Sequence, residues 1–130
     1  MILIVLLVLA VFVVQTLLPN RFREPSAASK ASEALGPRDH QPPLTVVGGR
    51  AARALANMHE ALPVFLALAL MNMIVGSAAA MALTGGWVFL IARVLYVPVY
   101  LAGIPALRTL IWLVGWVGLA MMLIPLLDRI

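Results

Sequence analysis

Four apolar stretches decide what this chain can fold into. The first reads "MILIVLLVLAVFVVQTLLP", with only Gln15 and Thr16 as polar interruptions. Three more follow beyond residue 46, and each approaches the roughly 20 residues that cross a ~30 Å hydrocarbon layer. Without water, a backbone must satisfy its own N–H and C=O groups, which selects helices for runs of this kind. Charged residues make up 11% of the 130 residues, against about a quarter in soluble domains. The expectation is one all-α integral membrane domain over residues 1–130, a four-transmembrane-helix bundle.

Local signals set the boundaries. The first helix is expected at about 1–18. Its basic residues, Arg21 and Arg23, follow the apolar run instead of preceding it. No small-residue cleavage site intervenes, so the run reads as a retained span and not as a signal peptide. Residues 19–46 are polar and proline-rich, a loop with a short helical piece at "AASKASEAL". The second helix is expected over 48–75, with Gly76 and Ser77 supplying a C-cap and an N-cap in succession. The third follows over 78–101. "AGIP" turns the chain, and Pro105 suits the first turn of a fourth helix over 105–127. Gly115 and Gly118 in that helix allow a neighbour to approach closely.

The net charge of +4 is concentrated, with Arg21, Arg23, Lys30, Arg38, Arg50 and Arg53 in or beside the long loop. The positive-inside rule then makes loop 19–46 cytoplasmic and leaves the termini on the other side. No basic stripe interleaved with aromatics points to nucleic acid. Cysteine is absent, so no thiolate of the chain can act as nucleophile or metal ligand. His40 beside Asp39 has no second ligand cluster and reads as a solvated loop histidine, so no metal site is expected.

The chemistry lies in "RALANMHEALP", Arg53 to Pro63. Counting ~100° per residue from Arg50, positions 53, 57 and 60 fall at about 300°, 340° and 280°. Arg53, Asn57 and Glu60 therefore share one face, while His59, at about 180°, lies on another. On the third helix Arg93, Tyr96 and Tyr100 share a face by their spacing of three and four. At ~1.5 Å per residue Glu60 and Arg93 lie roughly 15 and 12 Å deep, and a Glu60–Arg93 ion pair is expected. With Glu60 neutralising one arginine, Arg50, Arg53 and Arg108 remain beside Asn57, Tyr96 and Tyr100 as a cationic pocket. Arginine forks suit an anionic ligand bearing carboxylates.

Two blocks at these spacings, "RALANMHEALPVF" and "ARVLYVPVYLAGIPALRTLIW", resemble the MAPEG family, membrane-associated proteins in eicosanoid and glutathione metabolism. The likeness extends over nearly the whole chain outside the long loop and is greatest to the short bacterial branch. It implies a homotrimer in a bacterial inner membrane, with glutathione as co-substrate bound between subunits. Arg50, Arg53, Asn57, Glu60, Arg93, Tyr96 and Tyr100 would then line the glutathione site, with Arg108 as the catalytic residue. A guanidinium near sulfur favours the nucleophilic thiolate. The implied chemistry is conjugation or reduction of a lipophilic small-molecule substrate that enters from the membrane lipids.

Other readings stand beside this one. Glu60–Arg93 can be a purely structural pair, and Arg50 and Arg108 can anchor helix ends at lipid headgroups. The charged pocket can also serve binding or assembly without catalysis. A small exporter with a membrane carboxylate ranks last, because Glu60 has arginines at its own depth.

Overall fold

The computed structural model describes residues 1–25, 41–76 and 80–128. The described residues contain four long helices: α1 (Ile2–Arg21), α2 (Val46–Ile74), α3 (Ala80–Ala102) and α4 (Pro105–Leu127). Each is long and apolar enough to cross a membrane. The expected start of the third helix at 78, the Ser77 cap, the "AASKASEAL" piece and the solvated His40 lie outside the described residues.

Capping residues explain where the chain departs from the expected limits. Helix α2 begins at Val46, two residues early, because Thr45 is its N-cap and accepts from the Gly48 amide at 3.1 Å. The same hydroxyl donates to the Phe22 carbonyl at 2.8 Å. Arg23 and Leu44 form an antiparallel bridge beside it, and Arg23 Nη1 donates to the Pro42 carbonyl at 2.6 Å. The chain leaving α1 is thus clipped to the start of α2. Gly48 permits this, since a Cβ there would run into the Phe22 carbonyl. Helix α1 continues through Pro19 to Arg21. A proline so near the C-terminus removes a single ladder bond, and Arg21 suits the negative end of the helix dipole.

The expected end of α2 at Gly76 and the expected "AGIP" turn both form. Gly76 has φ +64° and follows α2, with its amide donating to Met73, the left-handed ending that glycine accepts without strain. Gly103 has φ +77°, and its amide donates to Val99 and Tyr100. Pro105 then opens α4.

The bundle core is built from Ile4 and Val8 of α1, Met58 and Phe65 of α2, Phe89 of α3 and Met122 of α4. Phe65 and Phe89 stack with centroids 4.7 Å apart, worth about 0.5–1.5 kcal/mol beyond burial. Helices α3 and α4 pack most extensively, and they do so at two glycines. A Cβ on Gly118 would lie 2.7 Å from the Gly85 carbonyl oxygen, and one on Gly85 would lie 2.5 Å from that of Gly118. Where lipid removes the hydrophobic drive between helices, such backbone contact supplies the packing energy. Large side chains such as Val13, Leu17, Ile91, Leu110 and Val117 remain exposed around the bundle. In water that would be an aggregation surface; in a bilayer it is the expected coat.

Candidate functional site

The rotation of α2 turns Arg53 and Glu60 outward and half-buries Asn57 between them. His59 points elsewhere, its ring edge-on to Phe12 of α1 with centroids 5.3 Å apart. The helical period thus separated the two adjacent residues His59 and Glu60 correctly.

Arg93 is the centre of the arrangement. It is 1% exposed, the largest fully buried side chain among the described residues. Its Nη1 donates to Asn57 Oδ1 at 2.7 Å, while Nε and Nη2 are buried without an acceptor. The expected Glu60–Arg93 ion pair is not made: none of the three guanidinium nitrogens bonds the carboxylate. Depth placed both residues at the same level, but Arg93 turns inward to the bundle and Glu60 outward. The cation is supported by two aromatic faces instead: Cζ lies 4.9 Å from the Phe89 centroid and 5.6 Å from that of Tyr96. Contacts of this kind give about 0.5–2 kcal/mol, more when desolvated.

From Tyr96 the aromatic line continues along α3. Tyr96 and Tyr100 meet edge-to-face with centroids 5.3 Å apart. Arg108, from the first turn of α4, lies over the Tyr100 ring at 4.9 Å. The short Gly103 turn makes this contact possible by folding the start of α4 back beside the end of α3. Arg108 is half-buried, its head held by an aromatic face that leaves its N–H donors free for an anion.

Arg50 has a different setting. Its Nη1 donates to the Leu101 carbonyl at 2.9 Å, at the C-terminus of α3, where orphan carbonyls and the helix dipole both favour a cation. A Cβ on Gly103 would meet the Arg50 guanidinium at 2.6 Å, so this glycine also makes room for the cap. Arg50 thus serves the α2–α3 junction.

The structure accordingly brings Asn57, Arg93, Tyr96, Tyr100 and Arg108 into one connected line, with Arg53 and Glu60 on the outer face beside it. Sequence reasoning missed that Asn57 is the partner of Arg93, and that a glycine of α4 shapes the space around it. Neither carries a local signal. Among the described residues no three of His, Cys, Asp and Glu gather as a metal-binding group. An apolar groove of about 510 Å³ opens between α1 and α3, lined by Leu7, Val11, Gln15, Leu90 and Val94 among others. By the helical period it lies on the side of α3 opposite Arg93 and Tyr96, so it is not part of the charged face.

Compared with protein families, residues 1–127 match the MAPEG family. No curated protein and no solved structure matches the chain.

Proposed function

The chain belongs to the MAPEG family, and from that premise and the charged face we propose that it binds glutathione or a similar anionic thiol between the subunits of a homotrimer. On this reading it conjugates or reduces lipophilic electrophiles drawn from the bilayer. The observation that carries the proposal is the exposure of Arg53 and Glu60 on a membrane-spanning helix. A charge facing hydrocarbon at the middle of a span, as Glu60 does by its depth, costs about 2.5–3.5 kcal/mol on insertion scales. A second subunit with a zwitterionic ligand at the junction would remove that penalty.

The donor and acceptor types fit a tripeptide with two carboxylates, one ammonium and one thiol. Arg53 supplies a fork for a carboxylate and Glu60 an acceptor for the ammonium. A guanidinium has only donors, so the bond from Arg93 fixes Oδ1 of Asn57 as the acceptor and leaves Nδ2 as donor for another partner. Arg108 over Tyr100 is the group placed to stabilise a thiolate. In conjugation, the thiol releases its proton and the thiolate forms a C–S bond, either opening an activated double bond whose electron pair then takes up a proton, or displacing a leaving group such as halide as its anion. In reduction, the thiolate attacks a hydroperoxide oxygen to give an alcohol and a sulfenic acid. A second thiol then converts the sulfenic acid to a disulfide and water.

A non-catalytic role in binding or assembly is the second reading. It is favoured by one observation, that Arg50 and Arg93 already hold structural partners inside the chain. Calorimetric titration of the purified protein in detergent with glutathione separates the outcomes. Saturable binding is expected, weakened roughly 10- to 150-fold by Arg53→Ala or Glu60→Ala, the range for a charged hydrogen bond. A flat titration to millimolar glutathione would sink the glutathione reading. Arg108→Ala is expected to abolish turnover of a chromogenic electrophile while sparing binding, and unchanged turnover would reject its catalytic role.

A further inference from the structure

Arg93 lies where it does because α4 leaves a notch for it. A Cβ built on Gly115 would stand 2.9 Å from Arg93 Nη2, 3.5 Å from Cζ and 3.6 Å from Nε. The flat guanidinium thus lies against bare helix backbone, between Gly115 on one side and the Phe89 and Tyr96 rings on α3. Even an alanine there would crowd Nη2, while Cζ and Nε would stay at ordinary contact distance. Gly118, one turn on, faces a different neighbour: its added Cβ would meet the backbone of Gly85 and Phe89. The two glycines of α4 therefore do separate things. Gly118 brings α3 and α4 together, and Gly115 accommodates a cation.

We propose that Gly115 is a positioning residue for the ligand face: its missing side chain holds Arg93 inward on Asn57, and so orients the Asn57 amide with its N–H groups available to an anionic ligand. The proposal rests on the ligand-binding reading above for its last step, but its first step concerns Arg93 alone. Nη1 reaches Asn57 Oδ1 at 2.7 Å with Nη2 of the same guanidinium seated in the notch. An added Cβ comes too close to Nη2 alone, the tip of a flexible side chain, so the guanidinium gives way while the backbone can stay: the bundle survives and the hydrogen bond to Asn57 is weakened. Held less firmly by Arg93, the Asn57 amide can turn over and present an oxygen, which repels a carboxylate. Gly115 thereby acts on ligand preference from a helix other than the one that carries Asn57.

The test uses the full chain in detergent micelles, with Gly115→Ala, Arg93→Met and the double variant. Nitrogen-15 NMR of the arginine Nε–H groups follows Arg93 directly, and glutathione titration follows the ligand face. The expected result is a folded Gly115→Ala protein in which the Arg93 Nε–H signal shifts and exchanges with solvent at least tenfold faster. Glutathione affinity falls about tenfold, the loss of one good hydrogen bond. In the Arg93→Met background the added Gly115→Ala change has no further effect on affinity. An unmoved Arg93 signal in Gly115→Ala, or the same affinity loss without Arg93, would overturn the proposal and make Gly115 a packing residue. If Gly115→Ala alone does not fold, the double variant decides: folding supports a notch made for Arg93, and failure refutes it. Absence of glutathione binding to the unaltered protein would count against the ligand reading, and the Arg93 signal would then decide the role of Gly115.

Discussion

Replacing Asn57 by leucine isolates the energetics of the buried arginine. Arg93 is 1% exposed and its hydrogen bond goes to Asn57 Oδ1 at 2.7 Å, with Nε and Nη2 already lacking acceptors. A hydrogen bond to a charged group contributes about 1.5–3 kcal/mol, and its loss leaves the buried cation with no acceptor among these groups. The Phe89 and Tyr96 faces remain in the variant, and each retains about 0.5–2 kcal/mol of cation–π support. Asn57→Leu should therefore destabilise the bundle by about 2–3 kcal/mol, roughly 30- to 150-fold in the unfolding constant. Reversible unfolding by SDS in mixed micelles, followed by far-UV circular dichroism, measures it. The reasoning makes a second demand. Adding Arg93→Met to Asn57→Leu removes the stranded charge, so the double variant should be more stable than Asn57→Leu alone. An Asn57→Leu protein within ~0.5 kcal/mol of the parent, or a double variant whose losses simply add, would refute the account.

Two further outcomes follow from the helix contacts. Gly118→Ala forces backbone apart at the α3–α4 crossing, where its Cβ would lie 2.7 Å from the Gly85 oxygen and 2.8 Å from the Phe89 nitrogen. It should destabilise by about 1–3 kcal/mol or more, exceeding Gly115→Ala in the same SDS titration. Thr45→Ala removes both the cap to Gly48 and the bond to Phe22. It should cost about 1 kcal/mol and speed hydrogen exchange at the Gly48 amide, and an unchanged Gly48 rate would count against the clip between α1 and α2.

Much of this protein was legible as one-dimensional information. Apolar length determined that four helices would span, since a backbone in hydrocarbon has few alternatives. Gly76, Gly103 and Pro105 announced their turns because positive φ and a missing amide are local properties. The grouping of Arg53, Asn57 and Glu60, and the removal of His59 from it, came from the helical period alone.

Tertiary structure decided the partners. Residue counting yields each side chain's depth and its angle about its own helix axis, but not how far one helix is rotated against the next. Depth therefore matched Glu60 with Arg93, and rotation gave Arg93 to Asn57. The same missing coordinate hid the Arg50 cap on Leu101, the mutual contact of Gly85 and Gly118, and the notch at Gly115. Each depends on which backbone passes within a few ångströms of a side chain. That is settled by the packing of whole helices, where small residues permit close approach and a cation takes the space they leave.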